Sequence, residues 1–250
     1  MSRRARLVVF AVGAAGAAAL LAWGLLGLPD FGHYRGPYGD VLNEQALGQR
    51  HAQNVVNAVV LDYRGFDTVG EEFILFGAVI GVTLLLRRQR EEHERATGDR
   101  ARDMAFARTS DAVRVFSLAL VVPTIVLGLY VVVHGHLSPG GGFQGGLIVG
   151  AAPVFVYLAG RYVVFRSVDP EGALDLGEGM GAAGFVAVGL VGLVATGAFL
   201  ENVWPLGQVG SVFSAGTIPV INVSVGIEVA AGLVLVLFEF LEQTLLLRGG

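Results

Sequence analysis

Six long apolar stretches constrain this chain more than any other feature. An apolar run of about 18 residues with few charges is long enough to cross the hydrocarbon core of a bilayer. The chain is 54% hydrophobic and only 15% charged, whereas about a quarter of the residues of a soluble domain are charged. We therefore predict an all-α, multi-pass membrane protein with about six transmembrane helices. The predicted spans are 7–28, 73–86, 115–133, 147–165, 180–200 and 220–247.

The placement of arginine predicts the orientation. All 17 basic residues are arginine. With six spans, fourteen of them fall on one side of the membrane, and only Arg35, Arg50 and Arg64 fall on the other. Because arginine-rich short loops stay in the cytoplasm, we predict that both termini are cytoplasmic in a bacterial inner membrane. A cleaved signal peptide is the less favoured reading of the N-terminal run, which is long and lacks a small-x-small cleavage site.

Missing residue types exclude several kinds of site. The chain has no cysteine, so disulfides, thiolate metal sites and iron–sulfur clusters are excluded. It has no lysine either, so the many glycines do not form a phosphate-binding loop of the GxxxxGK[ST] type. We predict no cofactor, no bound metal and no nucleic-acid partner.

A charged stretch divides the chain into two parts. Residues 89–110 carry charges of both signs, and we predict a cytoplasmic linker between a two-helix module, 1–88, and a four-helix domain, 111–250. Within the first module, residues 40–62 lack proline and repeat apolar residues at helical spacing. This pattern predicts an external amphipathic helix that lies in the interface or packs on a neighbour.

The segment between the third and fourth predicted spans, residues 134–146, reads HGHLSPGGGFQGG. His134 and His136 are candidates for an ion path, because histidine changes charge near neutral pH. Two histidines without further ligands make a poor metal site, and hydrogen bonds to the backbone of the turn are the favoured reading. The remaining candidates in the segment are structural: conformation and packing for Gly140, Gly141, Gly142 and Gly145, and a polar clasp to a partner helix for Gln144.

Carboxylates in the last span are the strongest candidates for ion handling. Glu228 lies about eight residues inside the apolar segment, and carboxylates at such a depth usually face a bundle interior or a wet cavity. Glu239 and Glu242 follow at spacings that place them near the same helix face. The three carboxylates either line a path across the membrane, or Glu239 and Glu242 merely reach the cytoplasmic interface.

A group of polar residues marks the outer boundary of the first module. Asp62, Arg64, Asp67 and Glu71 fall between the amphipathic segment and the second span. An ion pair between Arg64 and an aspartate, together with helix capping, accounts for most of this cluster.

Two stretches of the four-helix domain resemble a known family. The run at 134–146 and the run INVSVGIEVAAG at 221–232 are similar to the MnhB domain, the B subunit of the multisubunit Mrp-type Na⁺/H⁺ antiporter. The run NVVNAVVLDYRGFDTVGE at 54–71 resembles a second module, found at the C-terminal end of the antiporter's large A-type subunit and in the E-type subunit of membrane-bound hydrogenases.

The resemblance implies a membrane subunit of a hetero-oligomeric complex that exchanges cytoplasmic Na⁺ for external H⁺. On this reading the chain is a secondary transporter subunit and not an enzyme, and its partners are the other Mrp subunits and the bilayer. The family's main proton path uses intramembrane lysines and glutamates in other subunits, and this chain has no lysine, so it is not expected to pump alone. It either lines the cation path or serves as a purely structural subunit of an antiporter- or hydrogenase-related complex.

Overall fold

The computed structural model describes residues 3–28, 36–86, 109–159 and 172–248. All regular elements in these ranges are helical, as predicted. The predicted linker lies almost entirely outside the described residues, and so does the side chain of Glu242. The helices are α1 (Arg3–Leu26), α2 (Pro37–Arg50), α3 (Val55–Ala58), α4 (Gly65–Leu86), α5 (Asp111–Val133), α6 (Gly142–Leu158), α7 (Ala173–Thr196) and α8 (Ile218–Arg248).

In the described residues, five helices are long and apolar enough to cross a membrane. They contain the segments Leu7–Leu26, Gly65–Leu86, Asp111–Val133, Ala173–Thr196 and Ile218–Leu241. The shorter α6 is an apolar helix of 17 residues, or about 25 Å at 1.5 Å per residue, and the residues after 159 are not described. The multi-pass architecture is therefore confirmed, while the orientation remains a prediction.

The chain forms two compact units, 1–41 and 42–250. The first unit contains α1 and the first residues of α2. Its helix is apolar throughout Leu7–Leu26, with no charged residue in that range. The second unit contains all the other elements and the buried core.

Helix α8 lies at the centre of the second unit. It contacts α4, α5, α6 and α7, and more than half of its apolar segment is buried. Its apolar residues are distributed around the whole helix rather than along one face, which is the pattern of a helix surrounded by others. Ile218, Ile221 and Val225 are each at most 1% exposed.

Three helices begin at least five residues earlier than the sequence predicted. Helix α4 starts at Gly65 instead of about residue 73, and α7 starts at Ala173 instead of about residue 180. Both predicted spans begin just after an acidic residue, but Glu72 and Glu178 are buried between helices. At its other end, α7 stops at Thr196 because Gly197 adopts a left-handed conformation with φ of 83°.

The early start of α6, the third of these helices, reflects helix packing. This helix begins at Gly142 instead of residue 147, since its glycines lie against neighbouring helices. A methyl group in place of the Gly146 hydrogen would lie 2.7 Å from the Gly226 carbonyl oxygen of α8. On the other side, a methyl group on Gly145 would lie 2.7 Å from the Gly128 carbonyl oxygen of α5. The glycine-rich run is thus partly a loop and partly a close helix contact.

The segment 40–62, predicted to be one amphipathic helix, is divided. Helix α2 ends at Arg50, residues 51–54 are not helical, and α3 leads into a π-helical turn, Val59–Tyr63. The break is stabilised from outside the segment. His51 has a positive φ of 52°, and its Nδ1 lies 2.7 Å from the Gly207 carbonyl oxygen. The Asn54 N–H donates to the His136 carbonyl, so the backbone bonds across the fold instead of along a helix.

Candidate functional site

Three carboxylates are buried between the helices of the second unit. Glu72 on α4 is 3% exposed, Glu178 on α7 is 4% exposed and Glu228 on α8 is fully buried. Each sits well inside an apolar helix, where an isolated carboxylate is costly. The prediction that Glu228 faces the interior of a bundle agrees with this burial.

The three side chains form one cluster. The carboxyl groups of Glu72 and Glu228 lie close enough to interact directly, and Glu178 is close enough to Glu228 for their charges to repel each other. In the described residues, neither oxygen of Glu72 or Glu228 has a hydrogen-bond partner of regular geometry, and the same holds for Oε1 of Glu178. Described ion pairs do not neutralise them either. Such a cluster has unfilled capacity for a proton or a small cation.

The carboxylates lie at successive depths. Measured along each helix from the end where α4 and α8 begin, Glu72 is about 10 Å deep and Glu228 about 15 Å. Glu178 lies deeper, because its Oε1 is 3.5 Å from the position that a methyl group on Gly232 would take. Gly232 is one helical turn beyond Glu228 on α8. The order from this end is therefore Glu72, Glu228, Glu178.

The close approach of α7 and α8 depends on a small residue beside Glu228. A methyl group on Gly181 would lie 2.6 Å from both the Glu228 Cβ and its backbone nitrogen. Gly181 is one turn from Glu178, so the same close contact brings the two carboxylates to one interface. Sequence reasoning missed Glu72 and Glu178 because it placed both at span ends. The sequence offered one signal for Glu178, which is the glycine three residues later, because a small residue allows a neighbouring helix to approach closely.

Glu239, the other predicted carboxylate of α8 whose side chain is described, is not among the groups that interact with this cluster. Glu239 is half-buried and lies eleven residues beyond Glu228, about 16 Å along the helix. The side chain of Glu242 lies outside the described residues. The groups that accompany Glu228 come from α4 and α7 instead of from its own helix.

The two histidines have structural surroundings. His134 ends α5, stacks on Tyr130 with 4.1 Å between ring centroids, and places Nδ1 3.0 Å from the Tyr130 carbonyl oxygen. His136 is fully buried, with Nε2 3.3 Å from the Ser211 carbonyl oxygen. Burial lowers the pKa of His136, and the backbone hydrogen bond only partly offsets this effect. Neither histidine is among the groups that interact with the three carboxylates.

The glycine-rich loop is fixed by asparagine side chains. Gly140 and Gly141 have φ values of 137° and 149°, which side chains of L-residues rarely allow. The Asn54 amide donates to the carbonyl oxygens of Gly135, at 2.7 Å, and Ser138, at 3.0 Å. A neutral amide thus anchors the loop.

A second asparagine contact, the Asn57–Asn222 pair, joins the two parts of the chain. The Asn222 Nδ2 donates to the Asn57 Oδ1 at 2.7 Å, and the Asn57 Nδ2 donates back to the Asn222 Oδ1 at 3.1 Å. The same Asn222 oxygen accepts the Gly142 N–H at 2.9 Å. Both side chains are buried, so this pair links α3, α6 and α8 without any charge.

A cavity of about 290 Å³ opens beside this pair. Gln144, predicted to clasp a partner helix, is an exposed residue of its lining. Glu71, from the predicted outer cluster, contributes a formal charge to the lining. The polar part of the lining consists of Asn57, Thr68, Glu71, Gln144 and Asn222.

The rest of the predicted outer cluster makes ion pairs and hydrogen bonds. Arg64 pairs with Asp67, in line with the predicted arginine–aspartate pair. Asp62 instead accepts from Arg50 Nε at 2.6 Å and from the Asn202 amide at 2.9 Å. No local sequence pattern pointed to Arg50 as the partner of Asp62, because Arg50 lies twelve residues earlier in the chain. In the part of the chain that the structure describes, no group of histidine and acidic side chains is arranged to hold a metal ion.

Two family models match the chain. Residues 112–235 match the domain related to the MnhB subunit of Na⁺/H⁺ antiporters, and residues 2–102 match the E-type subunit of the MBH family. The buried carboxylates are divided between the two matches. Glu72 lies in the second, and Glu178 and Glu228 lie in the first.

Two curated relatives are similar in sequence to this chain. An uncharacterized protein of Methanocaldococcus jannaschii is 30% identical over 212 residues, which cover 77% of this chain and 78% of that protein. A probable K⁺/H⁺ antiporter A/B subunit of Rhizobium meliloti is 29% identical over 180 residues, which cover 63% of this chain but 17% of that much longer protein.

Two solved structures share the fold. One is a chain of the membrane-bound sulfane sulfur reductase, an archaeal respiratory membrane complex, with a TM-score of 0.69 and 31% identity. That match covers 94% of this chain and 98% of the other. The second is a chain of the Mrp complex from Dietzia sp. DQ12-45-1b, with a TM-score of 0.64 and 27% identity, covering 96% of this chain and 26% of the other.

Proposed function

Since this chain belongs to the MnhB-related family of membrane subunits, we propose that it is a subunit of a multisubunit complex that exchanges a monovalent cation for protons. Its fold recurs in chains of two multisubunit membrane complexes. It works among other subunits in a hetero-oligomeric assembly, as a transport subunit and not as an enzyme. We place the complex in the bacterial inner membrane with both termini cytoplasmic, on the basis of the arginine distribution.

The proposed transport role rests on one observation, the series of buried carboxylates Glu72, Glu228 and Glu178. Together they span three helices and successive depths in the bundle, with oxygens that lack regular hydrogen-bond partners among the described residues. Such groups pass protons or coordinate desolvated cations in membrane proteins. We propose that this series forms part of the ion path. Glu239 and Glu242 would extend it towards the cytoplasmic end, and His134 and His136 shape its outer wall.

The division of the chain follows from the same proposal. A two-helix module at 1–88 supplies Glu72, a linker at 89–110 follows, and a four-helix MnhB-like domain at 111–250 supplies the other two carboxylates. The path is complete only when both modules are present.

The test is Glu228→Gln in the assembled complex. We expect subunit content to be unchanged, because glutamine has nearly the same volume, while ΔpH-linked flux of Na⁺ and K⁺ falls at least tenfold, the size expected when a group of a proton path is lost. Glu201→Gln, at an exposed position after α7, is the matched control. Unchanged flux with Glu228→Gln would remove this carboxylate from the path.

A second candidate keeps the protein in such a complex but changes its role. The match to the sulfane sulfur reductase chain is near-complete in both directions, which favours a structural module shared between antiporter- and hydrogenase-related complexes. On that reading Glu228→Gln lowers flux only in proportion to lost subunits. Measuring flux and subunit content on one preparation separates the two candidates.

A further inference from the structure

We propose that the 290 Å³ cavity beside the glycine-rich loop is an aqueous vestibule through which monovalent cations and protons reach the Glu72–Glu228 pair. This inference rests on the proposed function and specifies where the path opens. On the predicted orientation, the vestibule faces the outside of the cell.

The position of the cavity connects it to the carboxylates. Thr68 on α4 and Val225 on α8 both line it. Glu72 is four residues beyond Thr68, and Glu228 is three residues beyond Val225. Residues at these spacings lie on the same helix face, one turn apart. Both carboxylates therefore lie one turn below the cavity, on the two helices that form its floor.

The lining matches the chemistry of a hydrated cation. The volume holds several water molecules, and the Gln144 amide and the Glu71 carboxylate are polar partners of the kind that ordered water requires. Among the described residues of the lining, Glu71 is the one with a formal charge, and none is an arginine. A cavity with a single carboxylate at its wall concentrates cations and repels anions.

The floor separates two environments. Thr68 is 2% exposed, and its hydroxyl donates to the Val60 carbonyl oxygen at 2.5 Å, within the π-helical turn. Val225 is 1% exposed. Below this floor the carboxylates are buried, so an ion that passes it must exchange water for carboxylate oxygens. The π-helical turn, with the Val60 carbonyl bonded to Thr68, lies at this boundary, and such turns recur at functional sites.

Because the chain has no cysteine, single cysteines can report on water access. We choose Gln144→Cys in the cavity wall and Ile74→Cys as control. Ile74 is 74% exposed on α4, three residues beyond Glu71, and is not a cavity residue. The cationic reagent is trimethylammonium-ethyl methanethiosulfonate and the anionic one is sulfonatoethyl methanethiosulfonate. Modification is read from the mass of this subunit in the assembled complex.

We expect the cationic reagent to modify Gln144→Cys about tenfold faster than Ile74→Cys, because thiols react as thiolates in water. It should also react about tenfold faster than the anionic reagent, and adding Glu71→Gln should remove most of that preference. Equal rates at both positions would overturn the vestibule, and so would an unchanged preference in Glu71→Gln. If Gln144→Cys does not assemble, Val60→Cys samples the same wall.

Flux measured before and after labelling tests the link to the carboxylates. We expect exchange by Gln144→Cys to fall at least fivefold after cationic labelling, while Ile74→Cys is unaffected. Labelling without loss of flux would overturn the claim that the vestibule feeds the path. If Glu228→Gln already leaves flux unchanged, the proposed ion path through Glu228 fails, whereas the accessibility result still decides whether the cavity contains water.

Discussion

Removing the Asn222 side chain tests the contact that joins the two parts of the chain. Asn222→Ala deletes two hydrogen bonds with Asn57 and one with the Gly142 N–H. Asn222 is fully buried, and Asn57 is 4% exposed. The variant therefore leaves the Asn57 amide and the Gly142 N–H without their protein partner, and water from the adjoining cavity replaces that partner only in part.

The magnitude follows from the number of groups left unpaired. A buried polar group without a partner costs about 1–3 kcal/mol in soluble proteins, and hydrogen bonds between membrane helices contribute about 0.6–1.7 kcal/mol each. For three lost hydrogen bonds, we expect a loss of about 2–5 kcal/mol. A loss of this size lowers Tm by about 5–15 °C in a chain of this length.

The assay is thermal dissociation of the purified complex, followed by the loss of this subunit. Asn57→Ala and the double variant complete a double-mutant cycle with Asn222→Ala. Because removing both partners leaves fewer unpaired groups, the double variant should be more stable than the sum of the single effects by about 1 kcal/mol or more. Val223→Ala, at a position 41% exposed on α8, is the control. Additive effects within experimental error would refute the reciprocal amide contact.

Two other predictions concern packing and pH. Gly146→Ala should lower stability by about 1–3 kcal/mol, because the added methyl group meets the Gly226 carbonyl; Gly77→Ala, where nothing lies within 4 Å, should be neutral in the same melting assay. For His136, the unfolded chain takes up a proton that the buried ring resists, so stability should be complete above pH of about 6.5 and decline as the pH falls below it. His136→Gln, which retains a donor for the Ser211 carbonyl, should flatten the melting profile between pH of about 5 and about 8, and an equal slope in both proteins would contradict the assignment.

Apolar length and charge were sufficient to predict the helices, but not where they begin. Hydropathy identifies the residues that a bilayer can surround, and those stretches are found in α4, α5, α6, α7 and α8. A hydropathy reading ends a span at the first carboxylate. In the structure, that carboxylate is buried against another helix. Whether a carboxylate ends a span or is buried within the bundle depends on tertiary packing, which hydropathy does not report.

The carboxylate cluster shows the same limit more sharply. Glu228 was predictable because it lies deep within a long apolar segment. Glu72 and Glu178 lie just before the predicted spans 73–86 and 180–200, a position where acidic residues are common for reasons of helix dipole alone. Their proximity to Glu228 depends on helices that are far apart along the chain. No local pattern contains that information.

The three-dimensional arrangement explains why both modules occur in one chain. Glu72 and Asn57 come from the segment before the linker, whereas Glu228 and Asn222 come from α8. Each module alone would therefore carry a buried carboxylate and a buried amide without their partners, at a cost of several kcal/mol. The amide pair compensates this cost locally, since two neutral groups satisfy each other. The carboxylate pair does not, because the two groups would repel each other if both were ionised. The amide pair thus stabilises an arrangement that keeps the two carboxylates close together. Their oxygens have no regular hydrogen-bond partners within the described residues, and an ion path requires such free capacity to bind a proton or a cation.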